Sequence, residues 1–188
     1  MSTGTAFRAP DVTQRLCGLV SETRKAVLFG LSPLETADLV AAILSPHLEA
    51  PDLLTAEQCR GDPARYRQHL LYAEPDGSFS IVGLVWLPGH ETPIHDHISW
   101  CVTGVHRGQE NERRYRQVPG SPASLVATED VVNPAGTVCG FAPPGDIHKV
   151  RNATSDPAIS LHVYGADIHR VGSSIRRVYP ANSVAPVA

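Results

Sequence analysis

The sequence predicts a mainly β domain, a sandwich or a small barrel, with a helical segment in front of it. From about residue 60 onward, short apolar and β-branched runs follow one another, with Gly and Pro clusters between several of them. The first fifty residues instead carry apolar side chains at helical spacing. A third observation bears on chemistry. His95 and His97 stand one residue apart, so on a strand they share a face, and His148 follows on a later segment.

In chain order, Val12, Leu16, Leu19, Val20 and Val27 mark a first helix. Ser32-Pro33-Leu34-Glu35 is a capping box with proline at the first helical position, and Leu39, Val40, Ile43 and Leu44 continue a second helix. Pro46 and Pro51 end it. A strand is predicted over 65–73, followed by the turn Pro75-Asp76-Gly77. The run 79–87, FSIVGLVWL, is apolar on both faces and so reads as a strand covered on both sides. Further strands are expected over 100–107, 110–117, 125–127, 137–142, 147–152 and 159–164, and a loose tail after Tyr179. A chain of 188 residues is expected to form one domain, with helices in 1–50 packing on a barrel formed by 60–180.

The net charge is −3 with acid and base interspersed, so neither a nucleic-acid nor a membrane-binding patch is expected. No run reaches the ~18 apolar residues of a membrane span. The opening MSTGTAFRAP lacks the charged-then-apolar pattern of a signal peptide, and a cytoplasmic location is expected. The spacing of Cys17, Cys59, Cys101 and Cys139 fits no zinc finger, so free thiols are expected. Of these, Cys17, Cys59 and Cys139 read as small buried hydrophobes.

His95, His97 and His148 are the candidate metal ligands. Three neutral imidazoles suit zinc, copper, nickel or iron. A closed structural zinc site has four protein ligands. Only three are evident here, which leaves positions open to substrate or oxygen.

The first block runs from Gly89 through His95, His97 and Cys101 to Gly108; the second runs Pro143-x-Gly145-x-x-His148-x-x-x-Asn152. Together they resemble the paired motifs of the cupin superfamily. That resemblance implies a double-stranded β-helix, a jelly-roll barrel, behind the N-terminal helical segment. Cys101 stands where that pattern has a glutamate, and Gly136 sits one residue too early for the usual opening glycine of the second block. The stretches Thr92-Pro-Ile-His-Asp-His97, Ser99-Trp100-Cys101, Gly145-Asp-Ile-His-Lys-Val-Arg-Asn152 and Ser160-Leu-His-Val-Tyr164 are similar to the cysteine dioxygenase family of thiol dioxygenases. The resemblance covers roughly residues 60 to 180. It implies ferrous iron, Fe(2+), on His95, His97 and His148, with a small thiol and O2 as the partners and a sulfinic acid as the product. It also implies a relay of Ser160, His162 and Tyr164 beside the metal. Their two-residue spacing puts all three on one strand face. Cys101 falls where mammalian-type members have a cysteine joined to the family tyrosine as a thioether, and here the partner would be Tyr164. The other reading of Cys101 is a small side chain filling the space the glutamate vacates.

At the substrate end, Arg65-Tyr66-Arg67-Gln68-His69-Leu70-Leu71 resembles the family segment that holds the substrate carboxylate. Cysteine-specific members have arginine two residues after the tyrosine; this chain has Gln68, with Arg67 one residue away. Glutamine there resembles the 3-mercaptopropionate dioxygenase branch. In that branch a C-terminal arginine helps hold the carboxylate, and Ser174-Ile-Arg-Arg-Val-Tyr179 is the matching stretch. Arg177 is the first candidate and Arg176 the second. Arginine supplies a bidentate, charge-assisted fork, whereas glutamine supplies neutral donors. The resulting expectation is a thiol dioxygenase favouring 3-mercaptopropionate. Its rivals are a dioxygenase of cysteine or another small thiol, another metal-dependent cupin enzyme such as an isomerase, and a non-catalytic metal-binding cupin.

Overall fold

The computed structural model describes residues 12–184. Residues 1–11 of the expected helical segment and residues 185–188 of the expected tail lie outside the described residues. The chain is mainly β with helices in front. The two helices α1 (Gln14–Leu28) and α2 (Pro33–Leu44) come first, followed by strands β1 (Arg67–Ala73), β2 (Ser80–Trp86), β3 (Ile94–His97) and β4 (Cys101–Arg107). Next are β5 (Gln109–Val118), β6 (Ser121–Pro134), β7 (Val138–Phe141), β8 (Ile147–Arg151) and β9 (Ala158–Tyr164), then the short helix α3 (Ile168–Val171) and β10 (Ile175–Tyr179). The strands form two five-stranded antiparallel sheets, in the orders β1-β2-β9-β4-β7 and β10-β3-β8-β5-β6.

Both helices start at side-chain caps, of which the sequence marked the second. The Thr13 side chain accepts from the Leu16 amide, and Ser32 and Glu35 form a reciprocal capping box at α2. Leu16, Leu19, Val20 and Ala26 of α1 pack with Ala37, Val40 and Leu44 of α2 against the outer face of the first sheet, including Ile81, Val85, Val102, Leu161 and Val163. Complete burial of Leu16, Leu19 and Leu44 contributes about 1.5–3 kcal/mol each. Close approach of α2 depends on Gly140 of β7, where a Cβ would lie 2.9 Å from the Ala37 carbonyl oxygen. The opposite face of the same sheet lines the barrel with Val82, Leu84, Trp86, Cys101 and Tyr164. Both faces of β2 are therefore covered, which accounts for its unbroken apolar run.

Three expectations change. Strand β6 runs from Ser121 to Pro134, far beyond 125–127. Its outer half is held by charge pairs with β5 rather than by apolar alternation: Arg113 meets Asp130 at 2.6 Å. The segment after Tyr179 is ordered through Val184, with a short 3-10 turn over Ala181–Ser183 and a bridge from Leu125 to Val184. Cys17 is exposed on the outward side of α1, and Cys59 and Cys139 are half-buried; only Cys101 is a fully buried thiol. No helix among the described residues is long and apolar enough to cross a membrane.

Candidate metal centre and its cavity

His95 and His97 project from the same face of β3, and His148 on β8 is the direct cross-strand partner of His95. All three are buried, and their ligand-capable nitrogens lie within 4.8 Å of one another. Each ring has its Nδ1 occupied. His95 Nδ1 lies 3.0 Å from the Pro93 carbonyl, His97 Nδ1 3.0 Å from Asp146 Oδ2, and His148 Nδ1 2.7 Å from Glu112 Oε1. A carbonyl or carboxylate oxygen only accepts, so each Nδ1 carries the hydrogen and each Nε2 keeps a free lone pair. That is the donor set of a metal site with its ligands already oriented from behind. Three neutral nitrogens so arranged fit a divalent transition metal.

Electrostatics hold the His95 and His97 rings neutral. Burial pushes the His95 imidazole down to about 3, and the neighbouring His148 and His97 add to the effect. Burial also lowers His97, despite the opposing hydrogen bond to Asp146. Burial resists ionisation of Glu112, but the hydrogen bond from His148 and the Arg114 guanidinium outweigh it and hold the carboxyl at about 2. Burial resists ionisation of Asp146 too, but the His97 ring and the His97 backbone N–H overcome it and keep the carboxyl below the usual carboxylate range. Gly145, at φ +103°, sits in the left-handed region and makes the turn that brings Asp146 under His97.

The opposite wall belongs to the first sheet. On β9, Ser160 Oγ lies 3.1 Å from His162 Nε2, and His162 Nδ1 lies 3.1 Å from the Tyr164 hydroxyl. Trp86 Nε1 donates to Ser160 Oγ at 3.0 Å. Cys101 on β4 stands directly opposite Tyr164. The three histidines, His162 and Tyr164 all border one cavity of about 800 Å³. Phe141 packs on the triad, with its ring centroid 5.1 Å from that of His97 and 5.3 Å from that of His148.

At the mouth, Gln68 pairs with Leu84 and Leu70 with Val82, so Gln68 shares the cavity-facing parity of β1. Arg67 takes the opposite parity, and its guanidinium lies 3.9 Å from Glu57, yet it too borders the cavity mouth. The structure does not bring the two C-terminal candidates to the cavity. Arg176 pairs with the buried Asp96 at 2.6 Å, helped by the Tyr179 hydroxyl at 2.9 Å, and Arg177 lies over the Tyr179 ring. Strand β10 lies beside β3, and its arginines serve that junction; Ser173, Ser174 and Ile175 are what this segment adds to the cavity lining. Sequence reasoning assigned no role to Glu112, Asp146 or Trp86. Alternation on β5 held a signal for Glu112, an acid at an inward position of a strand otherwise rich in arginine.

A family model described as cysteine dioxygenase type I matches residues 34–173. Human cysteine dioxygenase type 1 is 28% identical over 105 residues, covering 55% of this chain and 52% of its own length. The Danio rerio protein of the same name is 29% identical over 106 residues, with the same coverage. The chain thus spans about half the length of the curated relatives it matches. Among solved structures, TT1209 from Thermus thermophilus is similar at 22% identity and a TM-score of 0.45, covering 63% of this chain and 98% of that one.

Proposed function

We propose that this chain, which belongs to the cysteine dioxygenase type I family, is an iron-dependent thiol dioxygenase acting on a small thiol carboxylate, with 3-mercaptopropionate the favoured substrate. The reaction is RSH + O2 → RSO2H: the thiol supplies the electrons, and both oxygen atoms end on sulfur. One observation carries the reading. Three neutral imidazoles converge on one side of a cavity, and a hydrogen-bonded Ser160–His162–Tyr164 chain faces them from the other.

His95, His97 and His148 would hold Fe(2+). Bound there, the ion would lower the thiol pKa and hold sulfur and dioxygen at reacting distance. The protein's own contributions follow from its side chains. Glu112 and Asp146 keep the imidazoles in the ligating tautomer. Burial keeps the Tyr164 phenol well above its ordinary range, so it remains a hydrogen-bond donor at neutral pH. His162 and Ser160 aim that hydroxyl. Phe141 and Val150 exclude water from the reacting end. Gln68 offers neutral amide donors to the substrate carboxylate, and Arg65 and Arg67 add positive charge at the mouth. A small thiol carboxylate held through sulfur at one end, without an amino group, suits that clamp.

Cysteine is the second reading, favoured by the name of the matched relatives. A cytoplasmic location, where free thiols persist, is part of the same proposal. The test is turnover under isotopically labelled dioxygen with mass analysis of the product. A sulfinate carrying both labelled atoms is expected. Tyr164→Phe should slow turnover with iron content intact, and His95→Ala should lose both. Full activity of iron-free His95→Ala would overturn the assignment.

A further inference from the structure

Glu110 has no part in holding a metal or lining the cavity. It lies on β5 two residues before Glu112, so both carboxyls point into the barrel. It is 3% exposed, and its Oε1 has no hydrogen-bond partner. Beside it stand the Ser160 hydroxyl and the Trp86 indole, the far end of the chain that finishes at Tyr164. An acid buried at the tail of a hydrogen-bonded relay, with a free oxygen, calls for a physical account.

Hydrogen counting supplies it. Burial pushes His162 down to about 3, with the neighbouring imidazoles adding to the effect, so the ring is neutral and carries one N–H. Ser160 has one O–H and already accepts from Trp86. Two arrangements satisfy the chain. If Glu110 is protonated, it donates to Ser160 Oγ, Ser160 donates to His162 Nε2, and His162 Nδ1–H donates to the Tyr164 oxygen. The Tyr164 proton is then free to point into the cavity. If Glu110 is ionised, Ser160 donates to it, His162 Nε2–H donates to Ser160, and Tyr164 must donate to His162 Nδ1. The Tyr164 proton is then turned away from the cavity. The two states differ by a single proton.

We infer that Glu110 is a positioning residue whose protonation selects the His162 tautomer and so decides whether Tyr164 presents a donor or an acceptor to the cavity. The assignment of a catalytic consequence rests on the thiol dioxygenase reading; the tautomer coupling does not. The groups facing Glu110 permit a switch in the neutral range. Glu112 lies on its own strand, Ser160, His162 and Tyr164 on β9, and the Trp86 indole on β2. Its partner across the ladder on β6 is the neutral Asn133, and β8 sets the apolar Val150 opposite Glu112. None of these brings a cation to Glu110. Burial above all, with the charge of Glu112 adding to it and the Ser160 and Trp86 donors opposing, lifts its carboxyl to about 7.

The test is a nitrogen NMR titration of histidine-labelled protein loaded with diamagnetic zinc, together with the pH profile of the iron-loaded enzyme. Between roughly pH 5 and 9, wild-type His162 should pass from the Nδ1–H to the Nε2–H tautomer. Glu110→Gln, whose amide donates to Ser160 at every pH, should hold the Nδ1–H form throughout. Its kcat should lack the alkaline fall expected of the wild type and stay within about threefold of the wild-type low-pH value, with KM unchanged. Absence of a tautomer change in the wild type overturns the inference without needing any variant. So does a Glu110→Gln protein whose His162 shifts and kcat profile match the wild type. If His162 switches with Glu110 but no thiol is oxidised, the coupling stands and the proposed function fails. If a thiol is oxidised while His162 never switches, the reverse holds.

Discussion

Cys101 and Tyr164 are direct partners across the β4–β9 ladder, and both are buried at the inner face of the barrel. Burial pushes the Cys101 thiol well above its ordinary range, so at neutral pH it is an uncharged sulfur beside a phenol ring. A cross-strand pair brings side chains within bonding reach after small motions. Aerobic turnover should join Cys101 sulfur to the Tyr164 ring: each gives up one hydrogen, and dioxygen takes both hydrogens with their electrons and leaves as hydrogen peroxide. Intact mass should fall by a pair of hydrogens in the wild type and stay at the sequence value in Cys101→Ser. An unmodified wild-type mass after turnover would exclude the bond.

Glu112→Gln keeps the shape of the group behind His148 but replaces a carboxylate acceptor with a neutral amide. The tautomer lock weakens, and metal affinity should fall about 10–100-fold. Competition with a chelator, followed by metal analysis, measures this directly. Retention equal to the wild type would show that His148 needs no carboxylate behind it.

At the start of α2, Ser32 and Glu35 satisfy each other's backbone groups. Ser32→Ala should cost roughly 1 kcal/mol, the usual loss for an N-cap. The hydrogen bonds from the Ser32 side chain and then its backbone hold the Glu35 carboxyl below its ordinary 4.5. A depressed folded value means that this contribution is complete above that pH and is lost as pH falls through the folded value. Urea unfolding at a series of acidic pH values should show a shallower acid loss in Ser32→Ala than in the wild type.

Gly140→Val should destabilise the protein by about 1–3 kcal/mol, because the new side chain meets the α2 backbone at Ala37, which cannot rotate away. The melting temperature should fall while the metal affinity of folded protein is unchanged. An unaltered melting temperature would mean that α2 rides loosely on β7.

Much of the site was legible because its geometry is local. Two-residue spacing alone puts His95 with His97, and Ser160 with His162 and Tyr164, on shared faces. What spacing cannot reveal is which strands become neighbours. Glu112 and Asp146 acquire their roles only when β5 and the turn before β8 come up behind His148 and His97. Arg176 and Arg177 were placed by motif, yet β10 pairs with β3 and engages them with Asp96 and Tyr179. The length of β6 was hidden because cross-strand charge pairs, not an apolar stripe, hold its outer half. Cys17 read as buried because its type is usually so; its place on the outer side of α1 overrides that preference.

Oxidation of a small thiol carboxylate by dioxygen in the three-histidine cavity is the proposed reaction. Its most direct test is oxygen consumption by the iron-loaded protein across a panel of thiols that includes 3-mercaptopropionate and cysteine, with the sulfinate quantified alongside. Stoichiometric uptake is predicted, with a higher kcat/KM for 3-mercaptopropionate than for cysteine, and none for His95→Ala. Strong preference for cysteine would contradict the role given to Gln68, and no thiol-dependent uptake at all would contradict the proposed reaction itself.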